Sequence, residues 1–236
     1  MAYQSCFKRF ELKYMLTQPQ KEALLQVMQP YMKLDQYGRT TIRNIYYDTS
    51  NYRLIRRSIE QPLYKEKLRI RSYRQAAPDG DVFVELKKKF KKVVYKRRLA
   101  MPLSEATDWL CGNDSLKPPG QIGEEIHYFR DFYGELQPAV FLSYEREAFY
   151  SLDGSDFRVT FDENILARDT DLDLCAEVYG TPILPEGKVL LELKAPGAIP
   201  LWLTDFLTKN QIYKTSFSKY GTAYQTMLFK GGKLCV

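Results

Sequence analysis

The chain has 236 residues, 44% of them hydrophobic and 14% aromatic, enough apolar mass for one large core. Its 35 Lys and Arg against 29 Asp and Glu leave a net charge of +6, a mild excess that favours a polyanionic partner without naming one. The four scattered cysteines (Cys6, Cys111, Cys175, Cys235) make no CxxC or Cys/His spacing, which argues against a disulfide framework or a zinc site. No apolar run reaches membrane-spanning length and the N-terminus lacks the apolar stretch of a signal peptide, so a soluble, cytoplasmic protein is expected.

In chain order, a strand is expected over 7–14. "LTQPQKEALLQVMQPYM" then reads as a helix, with Thr17 and Gln20 at capping-box spacing and Pro19 in the first turn. Its Ala23, Leu24, Val27, Met28 and Tyr31 recur on one face. Strands follow over 41–48, 65–74, 81–88 and 93–101, each rich in Val, Ile, Leu, Phe or Tyr, with "APDG" as one of the turns between them. A helix over 104–111, the loop "GNDSLKPPGQIG" and a helix over 122–133 come next. Strands over 139–150 and 156–162 flank the turn "LDGSD", 169–187 is a longer excursion, and 188–194 is the last strand. Helices over 200–209 and 218–229 close the chain, which reads as a single domain over 1–236.

One tripeptide occurs three times on these strands: Glu11-Leu12-Lys13, Glu85-Leu86-Lys87 and Glu192-Leu193-Lys194. Residues two apart on a strand share a side, so each Glu and Lys lie together, opposite an apolar row. The same alternation aligns Lys67, Arg69, Arg71 and Tyr73, then Lys96 with Arg98, Tyr144 with Arg146, and Arg158 with Thr160 and Asp162. A half-exposed antiparallel sheet shows such alternation too, and any one strand alone is best read that way. As a set, however, these strands are numerous enough to close a barrel and rich in paired cations. With the apolar faces outward under the helices, the charged faces would line a channel. Like charges at contact repel by roughly 1 kcal/mol in water and several in a less polar medium, so such a channel needs a polyanion.

"LRIRSY", "VFVELKKK", "LSYEREAF", "FRVTFDENI", "VLLELKAP" and "SFSKYG", in this order, resemble the VTC domain, the polyphosphate polymerase domain of the vacuolar transporter chaperone complex. That domain belongs to the triphosphate tunnel metalloenzyme (CYTH-like) superfamily. The resemblance spans about residues 7–229 and implies an α+β fold: an antiparallel eight-stranded β-barrel tunnel with a basic interior and amphipathic helices packed outside. It implies an enzyme that moves the γ-phosphate of ATP onto polyphosphate with Mn²⁺ or Mg²⁺. By motif, Lys13, Arg69, Arg71 and Lys87 would grip phosphates, Lys96 or Arg98 would add a further cation, and Tyr144, Arg146 and Arg158 would follow. Ser218 and Lys219 match the Ser-Lys pair opening the last helix, and Glu192 matches the metal-binding glutamate, with an inward ion pair as its alternative role.

The sequence departs from the hydrolase and cyclase branches, which carry Glu-x-Glu-x-Lys where this chain has Arg9 in the first position. It carries neither the inositol-phosphate sensor nor the transmembrane helices of yeast-type members, so regulation by inositol phosphates and coupled translocation are not carried over, and whether a membrane protein partners it stays open. Glu11 and Glu85 are expected to orient Lys13 and Lys87 and to reduce repulsion among the cations. Lys88, Lys89, Lys91 and Lys92 read as a solvated turn, His127 as an ordinary helix residue, Asp48 as a turn former, and Ser218 as a helix cap or phosphate donor. No P-loop, dinucleotide fingerprint or kinase motif set is present. ATP and polyphosphate are the expected partners, and nucleic acid is not, since a duplex cannot enter a closed barrel of this size. A tripolyphosphatase or nucleoside triphosphatase of the same fold, and a non-catalytic polyphosphate-binding module, remain alternatives.

Overall fold

The computed structural model describes residues 6–91 and 93–229, with side chains from residue 10 onward. Cys6, Arg9, Lys92 and Cys235 therefore fall outside the described side chains. β1 (Cys6–Thr17) runs directly into α1 (Gln18–Met28). The expected capping box forms: Thr17 Oγ1 accepts from the Gln20 N–H, and the Gln20 side chain accepts from the Thr17 N–H. The buried face of α1 is Lys21, Leu24 and Met28, not the row through Ala23, Val27 and Tyr31. The chain leaves the helix early because Met32–Leu34 pairs with β7 as a short strand, β2.

β3 (Thr40–Asp48) leads to α2 (Arg53–Ile59), a helix not expected from the sequence. Its cap comes from upstream: the buried Asp48 carboxylate accepts from the N–H groups of Leu54 and Ile55 at 2.9 and 3.0 Å. Asp48, expected as a turn former, thus caps a helix as well, and it also accepts from Tyr220 Oη, near the other end of the chain. β4 (Tyr64–Tyr73), β5 (Asp81–Phe90) and β6 (Val93–Pro102) form a meander, followed by α3 (Leu103–Leu110) and α4 (Gln121–Tyr133). β7 (Gln137–Ser151) and β8 (Arg158–Arg168) come next. The excursion over 169–187 contains only the two-residue β9 (Thr181–Pro182) and is fastened by buried arginines: Arg168 donates to four of its carbonyls and Arg43 to two. β10 (Lys188–Ala195), α5 (Leu201–Lys209) and α6 (Lys219–Ala223), which continues as a π-turn to Leu228, complete the fold.

Among the described residues the structure is a mixed α+β arrangement of one ten-stranded antiparallel sheet and six α-helices. The strand order is β2-β7-β3-β4-β5-β6-β1-β10-β8-β9, and β7 also pairs with β8. Pairing therefore returns on itself through eight strands, with β2 and β9 added at β7 and β8. Two helix pairs cover one face of this circuit. α3 and α4 pack Trp109, Ile126 and Phe129 onto Leu68, Ile70, Val84 and Leu86 of β4 and β5. α1 and α5 pack Leu24, Leu203 and Phe206 onto Val159, Leu191 and Leu193 of β8 and β10. Each such aliphatic or aromatic side chain contributes about 1.5–3 kcal/mol by leaving water, so these two layers anchor the strands.

The last helix corrects the expectation that all helices pack on that face. Tyr220 of α6 stacks on Tyr46 with ring centroids 4.8 Å apart, and its cluster includes Ile42, Leu142, Tyr144 and Leu190. Those strand residues alternate with the apolar outer rows and share their face with the charged side chains. Among the described residues, no helix is long and apolar enough to cross a membrane.

Candidate functional site

The charged rows of β1, β4, β5, β6, β7, β8 and β10 all lie on the face that α6 approaches. Contacts that skip a strand show that this face is concave. Lys87 of β5 donates to Glu11 of β1 at 2.6 Å, past β6. Arg146 of β7 donates to Glu192 of β10 at 3.2 Å, past β8, and Arg71 of β4 donates to Tyr144 Oη of β7 at 2.9 Å, past β3.

Two carboxylate-centred hubs organise most of the cations. Glu85 is fully buried and takes Arg69 Nη2 at 2.6 Å, Arg98 Nε at 2.7 Å, Lys96 at 3.2 Å and Arg71 at 3.8 Å. Burial alone would raise its carboxyl, but Arg71, Arg69, Lys96 and Arg98 outweigh that and hold it well below the usual carboxylate range. Lys96 bears the cost: burial and the surrounding arginines bring it down to about 6 in spite of Glu85.

The second hub joins Asp162 and Glu192. Lys219 Nζ bridges them at 2.5 and 3.0 Å, and Arg146 spans the same pair. Lys13 reaches Glu192 at 3.2 Å and Lys194 reaches it at 3.4 Å. Burial opposes the charge on Lys219, yet the two carboxylates raise its affinity for the proton. Lys194, pressed by burial and by Arg146, is brought down to about 7. The Tyr144 ring lies under both groups, 5.0 Å from Arg146 and 4.5 Å from Lys219.

The expected pairing within the first two Glu-x-Lys tripeptides is corrected, whereas Glu192 and Lys194 of the third do pair. Lys13 bonds Glu192 and not Glu11, Lys87 bonds Glu11 and not Glu85, and Glu85 serves four other cations. Residues two apart on a strand stand about 6.6 Å apart, so register across the sheet decides the partners of Lys13, Lys87 and Glu85. The expected charge run over Lys88–Lys92 also divides. Lys88 and Lys89 are inside β5 and face opposite sides, and Lys91 alone of the described members is in the turn, at φ 45°.

Of the expected site residues, Lys13, Arg69, Arg71, Lys87, Lys96, Arg98, Tyr144, Arg146, Glu192 and Lys219 converge on the concave face. Ser218 is the N-cap of α6, accepting from the Gly221 N–H at 3.2 Å and from Lys67 Nζ at 2.9 Å. Arg158 is the exception: its side chain is 52% exposed at the start of β8 and faces Asp156. His127 bridges toward Asp114 and Asp131 on the surface, as an ordinary helix residue does.

The family model of the VTC domain matches residues 8–228. The chain belongs to the VTC domain family. Among curated proteins, none matches it. Solved structures share the fold of this VTC domain at low identity. A candidate adenylate cyclase from Bacillus halodurans aligns with a TM-score of 0.57 and 14% identity over 95% of this chain and 100% of its own. A candidate adenylyl cyclase from Hippeastrum, described as having a dominant triphosphatase activity, aligns with 0.55 and 15% identity over 92% and 95%.

The VTC domain also gathers residues at the site that no sequence motif marks. Asp162 and Lys194 sat on the correct strand face by alternation, but nothing in the sequence marked them above their neighbours. Lys67 shares its strand face with Arg69 and Arg71 and bonds Ser218, and no motif singles it out. Among the described residues, no group of three or more His, Cys, Asp and Glu converges as a metal-ligand set. Asp162 and Glu192 are two hard oxygen donors that meet at Lys219 Nζ. A magnesium-type ion binds through one or two carboxylates when phosphate oxygens and water complete its shell, so this pair fits such an ion together with a phosphate ligand and not alone.

Proposed function

We propose that this VTC domain is a polyphosphate polymerase: the eight-strand circuit encloses a basic tunnel in which the γ-phosphate of ATP passes to the end of a growing polyphosphate. The observation that carries the reading is the pair of hubs. Arginine and lysine side chains from six strands and α6 meet on one concave face, where among the described residues four carboxylates, Glu11, Glu85, Asp162 and Glu192, offset them. Paired charges of this kind are costly to bury, and a phosphate chain offers repeated anionic oxygens to replace the carboxylates.

Phosphoryl transfer needs alignment and positive charge around the equatorial oxygens more than covalent help. In this reading Arg69 and Arg71 hold phosphate oxygens with planar guanidinium forks, while Lys13, Lys87 and Lys96 supply point charges. Arg146 and Lys219, steered by Asp162 and stacked against Tyr144, stand where charge spreads over the transferred group. The acceptor is the terminal phosphate of the chain, already ionised at neutral pH, so no general base is required. Its oxygen bonds to the γ-phosphorus, the bond to the β-phosphate oxygen breaks, and ADP leaves. Glu192 and Asp162 would hold Mg²⁺ or Mn²⁺, which supplies Lewis-acid neutralisation of the triphosphate.

The test is incubation with ATP and Mn²⁺, followed by gel separation of the products. A ladder of long polyphosphate is expected. Free orthophosphate without a ladder would turn the reading into a triphosphatase, and binding without turnover into a non-catalytic module.

A further inference from the structure

On the charged face of β4 and β5, the register sets Arg69 opposite Glu85. The next two pairs on that face are Lys67 opposite Lys87 and Lys65 opposite Lys89. Directly opposed like charges are destabilising in a sheet, and here two such pairs lie in succession. The other face of the same strands shows the ordinary solution, with Glu66 opposite Lys88. Solubility alone would be served equally well by that arrangement on both faces.

The four lysines are half-buried and have little anionic company. Among the described residues, Glu11 is the one carboxylate bonded to any of them, through Lys87. Lys65 donates to the Ser58 carbonyl at 3.0 Å and Lys67 to Ser218 Oγ at 2.9 Å, both uncharged acceptors. Burial, then Lys13, Lys87, Lys65 and Arg69, all push against the charge on Lys67. Lys13, whose charge bears on Lys67, is itself paired to Glu192 of the second hub.

We propose that Lys65, Lys67, Lys87 and Lys89 form a second anion subsite, which holds the phosphates of a polyphosphate chain behind its reacting end. It rests on the polymerase reading and adds a specificity: the subsite favours long chains over tripolyphosphate, which is too short to fill it and the hubs together. Successive lysines on one strand are about 6.6 Å apart, a repeat that an extended phosphate chain can follow.

The test compares calorimetric affinities for long-chain polyphosphate and for tripolyphosphate at one salt concentration. Wild-type protein is expected to prefer the long chain. In Lys65→Gln/Lys67→Gln/Lys89→Gln the ratio of the two affinities is expected to fall by about tenfold or more, because three cation–phosphate contacts are lost for one ligand and few for the other. The matching triple Lys→Arg variant is expected to keep the ratio. Where the triple Gln variant does not fold, Lys89→Gln alone is expected to lower the ratio in the same direction by a smaller factor. An unchanged ratio in the Gln variants, equal losses for both ligands, or a wild type without preference overturns the subsite. A wild type that shows the preference yet makes no ladder from ATP contradicts the polymerase reading and leaves the subsite standing.

Discussion

At Arg69 and Glu85 the register of β4 and β5 joins opposite charges; one step further along the same face, at Lys67 and Lys87, it joins like ones. The hubs are self-sufficient, with each carboxylate serving several cations, whereas the lysine ladder relies on Glu11, a carbonyl and a hydroxyl. The hubs therefore hold their geometry before any ligand arrives, which suits groups that must align a reaction. The ladder stores repulsion that an anion relieves, which suits groups that need only attract and retain. The difference teaches that one strand pair can combine a rigid site with a responsive one by changing the residue opposite each cation.

The largest effect is expected at Glu85. In Glu85→Gln four cations lose their shared carboxylate, and breaking such a buried set costs about 3–5 kcal/mol. Urea denaturation is expected to show a loss of that size, partly recovered when tripolyphosphate is added. A loss below 1 kcal/mol would mean that Glu85 does not hold the hub together. Glu192→Gln is expected to cut ATP turnover by about a hundredfold, the scale of removing one electrostatic contribution to a transition state. Long-chain polyphosphate binding should fall much less. Comparable losses in both measurements would place Glu192 in binding alone.

The third effect depends on pH. Lys96 and Lys194 hold their protons only to about 6 and about 7 in the folded protein, against 10.5 ordinarily. The unfolded chain thus binds more protons between those values, so the stability of the ligand-free protein is expected to rise from pH 6 toward 10. Phosphate binding is expected to run the other way, because an anion brought beside these amines favours their charged forms. Titration of tripolyphosphate at pH 8 in buffers of different ionisation enthalpy should reveal net proton uptake, and affinity should fall as pH rises. Proton release on binding would reverse the assignment. The smallest effect concerns the ladder: Lys67→Met is expected to leave stability unchanged or raise it by about 1 kcal/mol, since it removes a half-buried, repelled cation. A clear loss of stability would show that the ladder is structural.

Much of the fold was legible because alternation of period two is a direct imprint of strand faces. The eight main strands and the helices α1, α3, α4 and α5 follow from it and from capping and apolar spacing. α2 was not legible, since its cap is Asp48 reaching forward across a left-handed Tyr52 (φ 58°), not a residue adjoining the helix. The inward position of α6 was equally hidden: its sequence shows small and aromatic residues, and only Tyr46, Tyr144 and Asp48 decide where they pack. For the site, alternation placed Lys13, Arg69, Arg71 and Arg146 on one face, but not who bonds whom. That information lies in register, which no single strand encodes, and so Glu85 as a hub and Asp162 as the partner of Glu192 emerged only in three dimensions. Arg158 shows the reverse failure, a residue on the correct face whose place at the end of β8 carries it into solvent.

The most direct measurement is a crystal structure of the protein with Mn²⁺ and a non-hydrolysable ATP analogue. Triphosphate oxygens are expected on Arg69, Arg71, Lys13, Arg146 and Lys219, with the ion on Glu192 and Asp162. A triphosphate bound elsewhere, with both hubs still closed on their own carboxylates, would contradict the account.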